Sequence, residues 1–287
     1  MKINNIILVS FSGGRTSAYM CKWLLDNKSR DFDLHFVFAN TGLEHEKTLE
    51  FVDRCDREWG LNLTWIESVT HQEKGKGQTY NIVDFKTAAR NGEPFESLVS
   101  VEGLSGPGIP RCSGRLKTIP ITKYRKTLGK KIWSAVGIRV DEIDRISKTS
   151  KKDRVFYPLI TMHPTTKAEI RYWFKEQSFD LEIPEHEGNC LTCWQKNLRK
   201  LLTVAKYNPE YFNFFKRMEE QYCKIGLKEG QERRYWFRGY LTVDKLISLS
   251  KEEFWEFEDH MPEQQFDLLG YDLDQMGDCG GRCEAFS

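Results

Sequence analysis

The chain has 287 residues, a net charge of +1 and 30% charged side chains. That length suits one large domain or a domain with a substantial appendage, and the near-neutral balance excludes a global field recruiting nucleic acid or membrane, so any polyanion must be bound locally. No apolar run is long enough for a secretory segment or a bilayer crossing, and we expect a cytoplasmic protein.

The run "NIILVSF" (5–11) predicts a strand, and "TSAYMCKWLLDN" after it carries apolar residues at helical spacing. "LHFVFANT" (34–41) completes a βαβ unit, which continues through amphipathic "EHEKTLEFVDRCDREWG" (44–60) to strand-like "LNLTWIES" (61–68). Strands buried on both faces and alternating with helices predict an α/β fold, a parallel twisted sheet with helices on both faces and right-handed crossovers. Residues 69–111, rich in Gly, Lys, Asn and Ser, read as a long irregular loop. "KKIWSAVGI" (130–138) predicts a further strand and "VFYPLI" (155–160) a late edge or connecting segment. From about 161 the texture becomes helical and aromatic, in "TTKAEIRYWFKEQ", "NLRKLLTVAKYNPEYFNFFKRMEEQYCKIG" and "SKEEFWEFEDHM". The expected organisation is an α/β region over 1–160 and a mostly helical region over 161–287.

"SFSGGRTSAYM" (10–20) occupies the end of the first strand, where ligands of open parallel sheets bind. Gly13 and Gly14 permit a tight turn and close backbone approach, and the following helix N-terminus offers amide donors to a phosphate. Ser10, Ser12, Thr16 and Ser17 add hydroxyls and Arg15 adds charge. The spacing fits neither G-x-x-x-x-G-K-[ST] nor G-x-G-x-x-G. Alone, the stretch is equally well a glycine turn with a serine-capped helix.

Five ordered segments supply the context. "SFSGGRTS" resembles the S-x-G-G-x-[DT]-S loop of the PP-loop pyrophosphatases, the adenine nucleotide alpha hydrolase-like superfamily. "FANTGLEHEKTLEFV" (38–52), "PRCSGRLKTIPI" (110–121), "VGIRVDEIDRIS" (136–147) and "NCLTCW" (189–194) are similar to the later elements of its phosphoadenosine phosphosulfate (PAPS) reductase-like branch. The resemblance implies a nucleotide site formed by Ser10, Ser12, Gly13, Gly14, Arg15, Thr16, Ser17, Asn40, Thr41, Gly42, Glu44, Arg115, Gly137 and Arg139. It places Arg15, Arg115, Lys117, Arg139 and Arg145 around the phosphates, with Arg15, Lys117 and Arg139 catalytic. The intact "SGG" with Ser17 favours cleavage of ATP between the α and β phosphates over a PAPS or adenylyl sulfate substrate. Asn40 and Thr16 stand where family members carry Asp, which leaves open whether Mg²⁺ is held by phosphates with Asp141 or Glu142 alone.

Eight cysteines in a reducing compartment point to metal or catalysis rather than disulfides. Cys190 and Cys193 have C-x-x-C spacing, and the resemblance implies Cys112 as a further ligand, but position 113 is Ser where cluster-bearing members have a second Cys. The tail "MGDCGGRCEAFS" offers Cys279 and Cys283; "DCG" resembles the C-terminal "ECG" of PAPS reductases, so one of the pair can be the nucleophile and the other the fourth ligand. Assigning Cys279 to catalysis and Cys283 to the metal gives a set of Cys112, Cys190, Cys193 and Cys283. A [4Fe-4S] cluster is expected from the family context, with zinc as the alternative. Cys21, Cys55 and Cys223 are assigned to packing.

"QERRYWFRGYLT" (231–242) interleaves three arginines with four aromatics, a nucleic-acid pattern that is equally an amphipathic core segment with snorkelling arginines; the latter is preferred. Three functions follow. The first is an ATP-cleaving enzyme that adenylylates a nucleic-acid or small-molecule acceptor for sulfur transfer, with a sulfur donor as partner. The second is a sulfonucleotide reductase served by a thioredoxin-type reductant. The third is a non-catalytic nucleotide-binding module. Oligomeric state is not legible.

Overall fold

A computed structural model describes residues 5–73, 75–106, 110–188, 190–237 and 240–259. Its elements in chain order begin with β1 (Ile6–Phe11), α1 (Arg15–Lys28), β2 (Asp33–Asn40), α2 (Glu46–Trp59), β3 (Thr64–Thr70), β4 (Gln78–Val83) and α3 (Glu93–Glu102). A π-helix (Ser113–Thr118) runs directly into α4 (Ile119–Leu128), followed by β5 (Trp133–Ala135), a 3-10 turn (Val140–Arg145), α5 (Ser150–Asp153), β6 (Val155–Phe156) and α6 (Pro158–Thr161). The helices α7 (Lys167–Lys175), α8 (Leu198–Tyr207), α9 (Asn213–Tyr222) and α10 (Val243–Leu249) complete the described chain.

The six strands form one sheet in the order β4-β3-β2-β1-β5-β6. All neighbours pair in parallel except β3 and β4, so the expected parallel sheet carries one antiparallel edge. The order reverses between β1 and β5, and that switch point opens a crevice beyond the carboxyl ends of these two strands. The region 69–111 is more regular than its composition predicts, since β4 and α3 lie within it. Conversely, 250–259 of "SKEEFWEFEDHM" is not helical. Its aromatics serve as covers instead: the Lys200 ammonium lies 4.5 Å from the Phe257 ring centre and that of Lys206 lies 5.5 Å from Phe254.

Two apolar cores hold the molecule together, and packing crosses residue 160 in both. The sheet core around Val9, Phe38 and Val52 also takes in Ile170, Phe174 and Phe179. The second core joins Phe95, Leu98, Val99 and Leu116 to Trp194, Leu201, Phe215 and Trp236. Trp236 and Phe237 are fully buried and Arg234 nearly so, which puts the middle of "QERRYWFRGYLT" in the core, while Gln231, Glu232 and Tyr240 are exposed. Gly103, at the end of α3, shows how closely the halves approach: its φ is +80°, and a Cβ there would lie 2.2 Å from the Ile225 carbonyl oxygen. Gly103→Ala therefore combines left-handed strain with a backbone clash, and we expect it to lower unfolding free energy by more than about 2 kcal/mol. Denaturant midpoints of the two proteins check this; an unchanged midpoint would show that the two chain segments do not abut.

Candidate functional site

After β1 the chain turns through Ser12, Gly13 and Gly14 into α1. Gly13 has a φ of +89°, and a Cβ on it would meet Thr48 Cγ2 at 2.8 Å, so the turn admits only glycine. Ser17 closes the turn from inside. Its Oγ accepts the Ser12 backbone N–H at 3.1 Å, lies 2.9 Å from Ser12 Oγ, and donates to the Gly14 carbonyl at 2.9 Å. No side chain caps α1 and no acid sits in its first turn. The amides of residues 15–17, which have no carbonyl one turn before them within the helix, therefore face the crevice as anion donors. Ser10, buried at the end of β1, and half-buried Ser12 flank them.

The opposite wall is the segment after β5. A Cβ on Gly137 would lie 3.2 Å from Ser17 Cα, so this glycine lets the two backbones touch. Arg139 Nη1 donates to Thr16 Oγ1 at 2.8 Å, while its Nε donates to Asp141 Oδ1 at 2.9 Å and its Nη2 lies 3.1 Å from Glu142 Oε1. Arg145 also pairs with Glu142. Burial pushes the Asp141 carboxyl up, but the Arg139 guanidinium outweighs it and holds the pKa below its ordinary value. Thr16 thus joins the two crevice walls.

The other expected phosphate cations are engaged elsewhere. Arg15 Nε donates to Asp180 Oδ1 at 2.6 Å, and the same side chain donates to the Leu181 carbonyl. Arg115 Nε lies 3.1 Å from Glu102 Oε1, and its Nη1 donates to Gln78 Oε1 at 3.3 Å. Lys117 points into the protein. Pro120 has no N–H to give the Leu116 carbonyl, and the chain accommodates this with the wider π turn, in which Leu116 and Lys117 are both buried.

The segment after β2 is internally satisfied. Asn40, fully buried, donates to Glu67 Oε1 at 2.6 Å and to the Ala89 carbonyl at 2.9 Å, and its Oδ1 accepts the Gly42 N–H at 3.1 Å. Gly42 packs on Gly92, whose N–H it accepts at 2.9 Å. Glu44 accepts from Thr41 Oγ1 at 2.8 Å, from Thr41 N at 3.0 Å and from Leu43 N at 3.2 Å, and lies 3.7 Å from Lys117 Nζ.

Beside this segment lies a small cavity lined by Thr41, Cys112, Lys117, Cys190 and Cys193 under the aromatic side chains of Phe95, Trp194, Phe215 and Trp236. Cys190 Sγ is 3.5 Å from Thr41 Oγ1, and Cys190 forms an isolated bridge with Glu44. The three cysteines expected to act together thus share one cavity. Among the described residues no three His, Cys, Asp or Glu side chains are gathered to hold one ion. Cys283, like Cys279, lies outside the described residues. A tetrahedral zinc site or a cubane cluster needs one ligand besides these three thiols, the place in which Cys283 is expected. Cys21 and Cys55 are fully buried in the sheet core, as packing requires.

Sequence reasoning missed Glu67, Asp180 and Glu102, which hold Asn40, Arg15 and Arg115, because no spacing connects partners that meet only in the fold. It also missed the aromatic cover of the cavity, although Trp194 directly follows Cys193.

Burial pushes the Cys190 thiol up to about 11, with the Glu44 carboxylate adding to the rise and the Lys117 ammonium opposing it. At neutral pH Cys190 is therefore a protonated thiol. Its alkylation, followed by peptide mass spectrometry, should climb about tenfold per pH unit from 7 to 10 without a plateau. Lys117→Met should slow the reaction further at each pH, because it removes the charge that favours the thiolate; a plateau near pH 8 would contradict this electrostatic picture.

A model of the phosphoadenosine phosphosulfate reductase domain matches residues 6–164. The chain is 32% identical over 290 aligned positions to the uncharacterized nin region protein ORF290 of Escherichia phage lambda, an alignment covering 98% of this chain and 95% of that one. Two uncharacterized proteins of Methanocaldococcus jannaschii are also similar, one at 35% identity over 53% of this chain and 26% of its own length, the other at 24% over 86% and 55%. No described helix is long and apolar enough to cross a membrane. With a matched stretch that runs from the start of β1 past α6 and so contains both walls of the crevice, the chain belongs to the phosphoadenosine phosphosulfate reductase domain family.

Proposed function

We propose that the chain binds ATP in the β1–α1 crevice and cleaves it between the α and β phosphates, transferring the adenylyl group to an acceptor that is then opened to sulfur transfer. The observation that carries this reading is the uncapped start of α1 with Ser17 folded into the turn behind it. It is a preformed, amide-lined anion seat of the kind a departing pyrophosphate needs.

The geometry supports a division of labour. Backbone amides of residues 15–17 and the hydroxyl of Ser12 hold the β and γ phosphates, while Gly137 leaves room for the chain to pass close by. Arg139, whose Nη1 reaches Thr16 while its Nε and Nη2 are held by Asp141 and Glu142, is assigned to the α phosphate, where charge develops. Asp141 and Glu142 are held by Arg139 and Arg145, so magnesium is best regarded as part of the nucleotide substrate. Asn40, Thr41, Gly42 and Glu44 act by shaping the wall, and Arg15 and Arg115 by anchoring it.

A second reading, sulfonucleotide reduction, draws on the family and on Cys190 standing 3.5 Å from Thr41 at the tip of β2. The raised Cys190 pKa counts against that thiol as the nucleophile, which this reading would assign to Cys279. The two readings part on products. Purified protein with ATP, magnesium and an acceptor should release pyrophosphate and form the adenylylated acceptor, AMP should follow when a sulfur donor displaces it, and sulfite from PAPS should be absent. Sulfite release would establish the reductase instead, and nucleotide binding without any turnover would leave a binding module.

Ser17→Ala removes the hydroxyl that closes the turn, and kcat/KM for ATP cleavage should fall by roughly 10- to 100-fold. Arg139→Gln should lower kcat more than it raises KM, since its charge is assigned to the transition state; an equal change in KM alone would assign it to ground-state binding.

A further inference from the structure

We propose that the edge of the molecule around the start of β5 and α5 docks the phosphate backbone of a single-stranded nucleic acid, with Trp133 stacking on a base. This proposal is independent of the nucleotide reading above, because it uses none of the crevice residues. Residues 123–131 and 148–154 hold nine cations and one acid, Asp153, in a chain whose net charge is only +1. The two segments meet in space, since Arg125 Nη1 donates to the Asp153 carbonyl at 3.0 Å and to Ser134 Oγ at 3.1 Å. Lys123, Lys126, Lys130, Lys131, Lys148, Lys151 and Lys152 are all exposed.

Charge density distinguishes this patch from the rest of the surface, where Lys86, Lys175, Lys224, Lys228, Lys245 and Lys251 are also exposed without an ion-pair partner among the described residues but no two of them are adjacent in sequence. Lys22, Lys28, Lys47, Lys76, Lys206 and Lys216 each lie within ion-pair distance of a carboxylate. Among the described residues none of the seven patch lysines has such a partner. Unpaired lysines are point charges suited to phosphates, and their field is local because the remainder of the chain is net acidic.

Trp133 supplies what a merely solvated charge cluster lacks. It is 41% exposed at the first position of β5, between the two lysine segments, and Phe156 braces it edge-on with ring centres 6.5 Å apart. A half-exposed, braced indole in a field of lysines is the combination that binds unpaired bases. Gly137 lies four positions after Trp133, about 13 Å of extended chain, so a nucleic-acid strand lying on this edge passes within a few nucleotides of the crevice.

Fluorescence anisotropy with labelled oligonucleotides of about 20 residues, read across a salt series, tests the proposal on the full chain. Single-stranded DNA or RNA should bind with a steep salt dependence. The combined Lys130→Glu, Lys131→Glu, Lys151→Glu and Lys152→Glu variant should lose about 100-fold in affinity and flatten the slope of log K against log salt by about 3. Trp133→Ala should weaken single strands about fivefold or more while leaving duplex binding unchanged. Circular dichroism and the melting temperature of both variants verify that they fold. Wild-type affinity in the lysine variant, equal losses for duplex and single strand in Trp133→Ala, or competition by poly-glutamate as strong as by nucleic acid would each overturn it, the last by pointing to an acidic protein surface.

Discussion

A carboxylate with 2% of its side chain exposed must be compensated, and the way Glu44 achieves this organises the functional end of the molecule. It collects the Thr41 hydroxyl, two backbone amides and the Lys117 ammonium, and so fixes the tip of β2 against the π turn, while its backbone bridges to Cys190. Lys117 has a complementary problem. Burial favours its neutral amine, yet its pKa lies above the ordinary value, raised by Cys190 where that thiol ionises and by Glu44; with the thiols protonated at neutral pH, the Glu44 carboxylate is the charge that holds the ammonium. Removing either partner would strand a charge in a nearly dry interior, which costs far more than the pair gains over an apolar substitute. The cavity is thus polar at its wall by necessity and aromatic elsewhere by packing.

The crevice follows a different economy. Its cations are committed to carboxylates, Arg15 to Asp180, Arg115 to Glu102 and Arg139 to Asp141 and Glu142, so attraction for an anion rests chiefly on the uncapped amides of α1. Such donors are rigid and need no side-chain ordering when a ligand arrives. Ser17 makes them available by taking over the Ser12 amide and the Gly14 carbonyl, groups that would otherwise compete for the turn. Rigidity on one wall and a bridged arginine on the other leave the ligand, rather than the protein, to supply most of the adaptable charge.

Sequence patterns revealed the part of the fold built from local periodicity. The first three strands and two helices have strong apolar repeats, and the glycine-bounded turns between them leave little freedom in order or hand. The region 69–111 misled because its Gly and Lys content masks α3, whose Phe95, Leu98 and Val99 are recognisable as a face only once the second core is present to receive them. The opposite error at 250–259 has the same origin. Phe254 and Phe257 have helical spacing, yet they are used to cover the lysines of α8. At the site, the glycines and Ser17 were legible because backbone geometry demands them. The directions of Arg15, Arg115 and Lys117 were not, since each is decided by an acid distant in sequence.

Asn40 shows how a departure from a family pattern can be read physically. Glu67 on β3 receives both the Asn40 side-chain amide and the Ala89 N–H at 2.6 Å, so it sits in the molecule as an acceptor that needs donors. Aspartate at position 40 would set a second carboxylate against it, and at such contact in a buried site one of the two would have to be protonated. Asparagine supplies two donors and still accepts the Gly42 amide, which holds the turn after β2 in the same shape. A carboxylate at position 40 is therefore incompatible with an ionised Glu67. The charge at this end of the sheet sits on β3, where Glu67 Oε1 holds the Asn40 amide and the Ala89 N–H and so fixes the wall.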